Sequence, residues 1–334
     1  MKNLLQSIVW ICFCFNFVTG AEKPDSNLVW LINSKIEVGI LPQVGGRLVV
    51  LRKPGGANLL KADSTQWQPP WPTVSAQSKF IPYNGHIVWL GPQKEWWSRQ
   101  TLNPQRKKQR ANWPPDPYLI YGDYQACLQN PNAITLASPV SPVSGVKLIK
   151  TIAIKAGGIV EFDVSAIGTR DSVLFWDIWM NTRMAGFDRA YVPVDPDEPP
   201  DFMITESEAV EPTPYRFIRD YFTFLPSFPE KEEQVQEVHL NPAAPFLAGV
   251  HDKEILLIQF DRIAQRLVSP GHTQVELYNR ITAEDQLLEL EVHGQYGAVS
   301  KQDTLHMSIT LTILDAGATE SRTLEKLKCY RSQK

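Results

Sequence analysis

Length and charge bound the functions open to this chain. It has 334 residues and a formal net charge of −3 at pH 7. This near-neutral balance argues against a nucleic-acid partner, which requires a basic surface. A chain of this length forms one large domain or two modest ones.

The first 20 residues have the composition of a secretory signal peptide. Lys2 gives a weakly positive start, residues 4–18 are mostly apolar, and the residues around Gly20 and Ala21 are small. The apolar run is shorter than a typical transmembrane helix and is interrupted by polar residues. The alternative to a cleaved signal peptide is an uncleaved membrane anchor. We expect cleavage near Gly20 or Ala21, a secreted or periplasmic protein, no membrane contact after cleavage, and a single domain over residues 21–334.

Most of the remaining chain consists of short apolar runs separated by turn residues, among them 26 prolines and 19 glycines. This spacing predicts an all-β fold, either a sandwich or a barrel. The predicted strands are 28–32, 36–41, 47–51, 118–126, 133–137, 146–154, 159–167, 173–180, 246–250, 255–260, 274–279, 287–293 and 304–314. Ala156-Gly157-Gly158 predicts a hairpin turn. The polar segments 98–117 and 193–214 are predicted to be surface loops.

An unusual concentration of aromatic and hydrogen-bonding residues occupies positions 81–97, IPYNGHIVWLGPQKEWW. It contains Trp89, Trp96 and Trp97 together with His86, Gln93 and Glu95. Flat apolar rings beside polar side chains suit a ligand with one apolar face and a rim of hydroxyls, and sugars are the commonest such ligands. The alternative is an aromatic core beneath a loop.

Residues 173–183, VLFWDIWMNTR, alternate as a strand does, with successive side chains on opposite faces. One face carries Phe175, Asp177, Trp179, Asn181 and Arg183. Charged and amide groups between aromatic rings indicate the floor of a ligand site. The alternatives are a buried Asp177–Arg183 pair and a face covered by a partner.

Residues 287–293, LLELEVH, give the sharpest alternation in the chain. Glu289, Glu291 and His293 share one face. Carboxylates two residues apart lie about 6.6 Å apart along a strand and modestly raise one another's pKa, which suits a general acid or base. We expect antiparallel pairing with residues 305–313, which would add His306 to the same surface. An ordinary solvated sheet face is the alternative.

Other chemistries lack sequence support. The chain has no nucleophile-elbow, P-loop, dinucleotide-binding or zinc-protease motif. Its six histidines show no metal-ligand spacing, so we predict neither a metal nor a cofactor. Beyond the signal, Cys127 and Cys329 either pair in an oxidising compartment or stay as two buried thiols.

Several segments together resemble the galactose-mutarotase-like (aldose 1-epimerase-like) superfamily, and most closely a group of uncharacterised, mostly secreted bacterial domains in it. The segments are 41–60, 84–97, 113–124, 146–167 and 275–314. The more specific elements are W-x-G-P-Q-x-E-W at 89–96 and W-P-P-D-P-Y at 113–118. The resemblance implies one large β-supersandwich of antiparallel sheets with a sugar site on a concave sheet.

The resemblance also implies roles for particular residues. In aldose 1-epimerases a histidine donates a proton to the ring oxygen, and a late glutamate takes one from the anomeric hydroxyl. Glu291 falls at about the place of that glutamate, and His86 lies near an early sugar-binding histidine. The mid-chain histidine motif has no good copy here, since Trp179-Met180-Asn181 stands at its place.

Two classes of function follow, and a third stays open. As an enzyme, the protein would use Glu291 as base, Glu289 as its partner and His86 or His293 as acid, in anomer interconversion or glycosidic cleavage. The predicted substrate contacts are Arg47, Trp89, Gln93, Glu95, Trp96, Asp177, Trp179, Asn181 and Arg183. For cleavage, Glu95 or Asp177 would be the second carboxyl. The other classes are a non-catalytic carbohydrate-recognition module and an envelope protein-interaction domain.

Overall fold

The computed structural model describes residues 27–203, 208–301 and 303–331. The predicted signal peptide, residues 1–20, lies outside these residues, so cleavage and export stay predictions. Within the described ranges, every helix is too short or too polar to cross a membrane.

The described secondary structure is dominated by strands. In chain order the strands are β1 (Val29–Ile32), β2 (Glu37–Leu41), β3 (Arg47–Arg52), β4 (His86–Gly91), β5 (Gln125–Asn130), β6 (Ala133–Ala137), β7 (Val146–Ile154), β8 (Val160–Gly168), β9 (Leu174–Met184), β10 (Arg189–Pro193), β11 (Asp201–Met203), β12 (Val210–Glu211), β13 (Tyr215–Ile218), β14 (Tyr221–Phe224), β15 (Glu233–Leu240), β16 (Phe246–His251), β17 (Glu254–Phe260), β18 (Val275–Ile281), β19 (Gln286–His293), β20 (Gly297–Val299) and β21 (Thr304–Asp315). The α-helices are α1 (Pro104–Gln109), α2 (Pro117–Ile120) and α3 (Glu320–Lys328).

The strands form two large sheets that pack face to face. The first sheet runs β1-β2-β3-β4-β9-β19-β18-β15-β11, with β12 beside β15 and β20 beside β9. The second runs β13-β14-β10-β16-β17-β21-β8-β7-β6-β5. Nearly all neighbours are antiparallel; β12 and β15 pair in parallel. The all-β sandwich predicted from the sequence is confirmed.

The apolar faces of the strands meet between the sheets. On β19, Leu288, Leu290 and Val292 are buried, as strand alternation requires. Leu290 reaches β16 in the second sheet, where a Cβ atom on Gly249 would lie 3.1 Å from its Cδ1 atom. This packing fixes the register of β19, and therefore directs its glutamates to the outer face.

We expect Leu290→Ala to lower the free energy of unfolding by about 2–5 kcal/mol, because it leaves a cavity between the two sheets. Leu290 is 0% exposed, whereas Leu128 of β5 is 49% exposed. Leu128→Ala is therefore the matched control, with an expected change within about 0.5 kcal/mol. Urea denaturation measures both, and equal effects would contradict this assignment of the core.

Many strand predictions agree with the structure. β6 and β7 have the bounds expected for them, and the Ala156-Gly157-Gly158 turn joins β7 to β8 with Gly157 at a φ of 78°. β4 has no alternating pattern because all six of its residues are buried. The prediction of a strand over residues 118–126 is wrong. Residues 117–120 form α2, which Asp116 caps, and β5 begins only at Gln125.

The pairing expected between 287–293 and 305–313 is wrong. β19 lies between β18 and β9 in the first sheet, whereas β21 lies between β17 and β8 in the second. The short strand β20 pairs with β9 before the chain reaches the second sheet. His306 is consequently exposed on the other sheet, 3.4 Å from Ser165 Oγ.

The segments predicted to be surface loops contain regular structure. α1 lies within 98–117, capped by Asn103, and Arg106 packs 4.3 Å from the centre of the Trp97 ring. The 193–214 segment contributes β11 and β12 to the first sheet. Within the described residues, no disulfide joins Cys127 to Cys329.

Candidate functional site

Neighbouring strands β4, β9, β19 and β18 form the floor of a cavity of about 490 Å³ on the outer face of the first sheet. Residues directly opposite one another on paired strands point to the same face. Three such rows run across this floor: Trp89–Trp179–His293, Asn181–Glu291–Glu276 and Arg183–Glu289–Tyr278. The sheet register therefore gathers side chains that are far apart in sequence.

One side of the cavity is an aromatic wall, made of Phe80, Trp89, Trp113 and Trp179. The ring centroids of Trp89 and Trp179 are 4.9 Å apart, and those of Phe80 and Trp113 are 4.7 Å apart. The indole N–H groups of Trp89 and Trp179 are buried, and neither meets a hydrogen-bond acceptor among the described residues. The wall thus combines flat apolar surface with two indole N–H groups that are unpaired among the described residues.

The opposite side of the cavity is rich in carboxylates, and Glu289 is the best anchored of them. Its Oε1 atom lies 2.9 Å from Arg183 Nη2, and Asn181 Nδ2 donates to its Oε2 atom at 2.5 Å. Arg183 also donates to Asn84 Oδ1 at 3.1 Å and lies over the Trp89 ring. Arg183 therefore pairs with Glu289, and not with Asp177 as one alternative had it.

Glu291 is placed differently from Glu289. Its side chain lines the cavity but is only 4% exposed, and its Oε2 atom has no hydrogen-bond partner in the part of the chain that the structure describes. Burial, together with the charges of Glu289 and Glu276, raises the pKa of Glu291 well above its usual range. Its environment therefore favours the neutral, protonated form of Glu291.

Beside Glu291, three histidines surround the Oε1 atom of Glu276. His272 Nδ1 lies 2.6 Å from that atom, His293 Nε2 3.2 Å and His239 Nε2 3.7 Å. Burial opposes the charged form of His293, but Glu276 and Asp177 outweigh it and raise the pKa of His293 to about 10. Burial likewise opposes the Glu276 carboxylate, yet His293 and His272 hold the pKa of Glu276 below its usual range.

The structure brings six of the thirteen predicted site residues to the cavity lining. Those that line the cavity are Trp89, Gln93, Trp179, Arg183, Glu289 and Glu291. Asn181 lies beneath them and holds Glu289. Asp177 is fully buried, accepts from the Gly91 backbone N–H at 3.0 Å and lies 3.4 Å from His293 Nδ1.

His86 lies away from the cavity, in the core between the sheets. Its ring is 4.4 Å from that of Phe162 in the second sheet, and its Nδ1 atom is 2.8 Å from Thr182 Oγ1. Burial, helped by Lys150 and Arg47, lowers the pKa of His86 to about 3. A neutral imidazole facing the core cannot reach a ligand on the opposite face of the sheet.

Arg47, Glu95 and Trp96 also lie outside the cavity lining. Arg47 is buried and donates to the Asn84 and Ile120 carbonyl oxygens at 2.6 and 2.9 Å. Glu95 lies 3.4 Å from Arg99 Nε in a short turn after β4. Trp96 packs behind Trp89 and donates its indole N–H to the Leu90 carbonyl oxygen.

Sequence reasoning missed several lining residues. They are Lys61, Phe80, Pro82, Asn84, Trp113, Glu237, Glu276, Tyr278, Arg280, Asp285 and Leu287. Glu276 and Tyr278 alternate with buried Val275 and Leu277, so the alternation of β18 could have found them. Phe80 and Trp113 come from irregular segments, which carry no such pattern.

Comparisons with solved structures support the fold. The chain is similar to a candidate aldose 1-epimerase from Escherichia coli, with a TM-score of 0.50 and 10% identity over 86% of this chain and 99% of that one. It is also similar to a galactose mutarotase-like protein from Lactobacillus casei, with a TM-score of 0.51 and 11% identity over 86% of this chain and all of that one (100%). The galactose-mutarotase-like fold expected from the sequence is confirmed.

Sequence comparisons identify the family. No curated protein matches the chain. The family described as "Domain of unknown function (DUF4380)" matches residues 27–313, which is most of the chain. The protein therefore belongs to the DUF4380 family, and it has a galactose-mutarotase-like fold.

Proposed function

We propose that the chain binds a carbohydrate in this cavity and that Glu291 transfers a proton in a reaction on the bound sugar. The observation that carries the proposal is the Glu291 carboxyl group, which is buried in the lining of the cavity with an Oε2 atom that no described residue satisfies. Leaving a buried polar atom unpaired costs about 1–3 kcal/mol, and such groups concentrate where a ligand completes them.

The two sides of the cavity complement the two kinds of surface on a sugar. Trp89, Trp113 and Trp179 present ring faces or edges to the apolar C–H face of a pyranose. Arg183 and Gln93 present donors to its hydroxyls, while Glu289 accepts from them. An apolar pocket with a few convergent polar groups is the usual form of a small-molecule site.

The chemistry follows from the different environments of two neighbouring carboxyl groups. Because burial favours the protonated form of Glu291, we assign it the role of acid in the first step, instead of the base expected from the sequence. It donates to the ring oxygen as the ring C–O bond breaks, and Glu289, which Arg183 contacts at 2.9 Å, takes the proton of the anomeric hydroxyl. Ring closure on the other face of the carbonyl returns both protons and completes anomer interconversion.

Anomer interconversion is favoured over glycosidic cleavage. Cleavage requires two carboxyl groups on opposite sides of the scissile bond. Glu95 and Asp177, expected to supply the second one, lie outside the cavity lining. The other lining carboxyl groups are those of Glu237, Glu276, Asp285 and Glu289. They lie on β15, β18 and β19 and in the turn between β18 and β19, so all come from the strand that carries Glu291 or from its side of the sheet.

A recognition module without turnover is the second candidate, and one observation favours it. Among the described residues that line the cavity there is no histidine, so the histidine acid of the epimerase reaction has no counterpart there. The aromatic wall serves binding alone equally well. In either case we propose an exported protein, on the strength of the predicted signal peptide.

Saturation-transfer NMR with a panel of free sugars and oligosaccharides tests the proposal. We expect transfer from the protein to at least one sugar, through its ring C–H protons. Absence of transfer across a broad panel, combined with an obligate complex in size-exclusion chromatography, would replace both sugar functions with the protein-interaction function.

We expect Trp113→Ala to weaken sugar binding about tenfold, because it removes one ring of the aromatic wall. Trp113 is 42% exposed, so the fold should tolerate the change. Phe228, 77% exposed and outside the cavity lining, provides the matched control variant Phe228→Ala. Calorimetric titration measures both affinities, and equal affinities would remove Trp113 from the site.

A further inference from the structure

Two histidines and a glutamate meet at the cavity's edge with the composition of a metal site. His239 comes from β15, His272 from the segment before β18, and Glu276 from β18. Their ligand atoms, one from each residue, all lie within 4.8 Å of one another. The 32 residues that separate the two histidines explain why no metal spacing was recognised in the sequence.

We propose that His239 Nε2, His272 Nδ1 and a Glu276 carboxylate oxygen bind a zinc ion. Two imidazoles and one carboxylate form a ligand set found in catalytic zinc sites, where a fourth position stays open for water or substrate. Imidazole nitrogens favour zinc over calcium or magnesium, which take oxygen ligands. This inference replaces the expectation that the chain has no metal.

A buried histidine lies directly behind the proposed ligand Glu276. The ring of His293 is 0% exposed, and its Nε2 atom lies 3.2 Å from Glu276 Oε1. Its other nitrogen lies 3.4 Å from Asp177 Oδ1. Carboxylate and imidazole groups placed behind metal ligands commonly orient them.

The charges and the access of the site also suit a divalent cation. Glu237 and Glu276 bring two carboxyl groups to the cluster, while Asp177 lies 3.4 Å from Nδ1 of the neighbouring, fully buried His293. Glu237 and Glu276 line the cavity, which gives an ion a route from solvent. Glu237, now 3.0 Å from His239 Nε2, would lose that contact when the nitrogen turns to the metal.

The test is zinc retention by the untagged protein, measured in the absence of sugar. The protein is stripped with a chelator, reloaded with zinc, dialysed and analysed for metal per chain. We expect about one tightly held zinc ion per chain, and His239→Gln and His272→Gln should each lose it. Cobalt in place of zinc should give the visible absorption of a tetrahedral site, with His272→Cys keeping the metal and adding a thiolate band.

A second group of residues supplies the control. Asp188, His251 and Asp252 also lie within 4.8 Å of one another, but on an exposed surface. His251→Gln should therefore leave zinc retention unchanged. Absence of retained zinc in the wild type, retention by the His239→Gln/His272→Gln double variant, or equal loss in His251→Gln would each overturn the proposal. Because no sugar is present, these outcomes are independent of the carbohydrate proposal.

Discussion

Glu291→Gln should reduce turnover of the bound sugar by about 10²–10⁴-fold, the usual contribution of one acid–base group, while changing affinity by less than about threefold. Glutamine keeps the shape and hydrogen-bonding capacity of a neutral carboxyl group but cannot donate the proton. Since burial already favours the protonated form of Glu291, the glutamine amide resembles the form that the site favours. The fold should consequently be little affected.

Exchange NMR between anomers measures this prediction, and the same spectra report any cleavage product. The matched control is Glu284→Gln, an exposed glutamate in the turn between β18 and β19, which should retain full activity. Turnover equal to wild type in Glu291→Gln would place the acid elsewhere. If the wild-type protein binds sugar without turnover, the recognition module is the better account.

Arg183→Met should lower the free energy of unfolding by about 3–5 kcal/mol, because it leaves the Glu289 carboxylate buried without its ion partner. The Arg183 and Glu289 side chains are only 5% and 8% exposed. The double variant Arg183→Met/Glu289→Gln should recover most of the loss, since the amide needs no counter-ion. Chemical denaturation measures all three proteins.

The control for this prediction is an exposed ion pair. Arg322 and Glu325 in α3 have side chains that are 73% and 52% exposed. Arg322→Met should cost less than about 1 kcal/mol, because solvent screens such pairs. If Arg183→Met costs no more than Arg322→Met, the pair does not anchor Glu289 and the proposed division of roles between the two carboxyl groups fails.

Much of the site could be predicted because successive side chains of a strand point to opposite faces, so the local sequence shows which residues share a face. In β9 and β19, polar residues alternate with buried apolar ones, so the sequence shows that Arg183 shares a face with Trp179 and that Glu289 shares one with Glu291. The register then brings these two faces together. The pairing of β9 with β19 agrees with the expectation that these faces form the floor of a ligand site. The role of each residue stays a prediction.

What could not be predicted depends on contacts between distant segments. Nothing local to β19 indicates that β9 and β18 are its neighbours and that β21 belongs to the other sheet. The proximity of His239 to His272 and Glu276 also depends on contacts between distant segments, so the sequence alone could not predict it. The prediction of His86 as a site residue was wrong because β4 is buried on both faces. Alternation of polar and apolar residues could therefore not show which face the imidazole occupies.

The most direct test of the central claim is an NMR titration of the indole N–H signals with the tightest-binding sugar. Trp89 and Trp179 line the cavity, whereas Trp30 and Trp67 lie outside its lining; the indole N–H groups of all four are buried and unpaired among the described residues. Trp→Phe variants assign the four signals. We predict saturable shifts for Trp89 and Trp179 with Trp30 and Trp67 unchanged; shifts confined to Trp30 or Trp67, or no shift with a sugar that binds, would contradict a sugar site in this cavity.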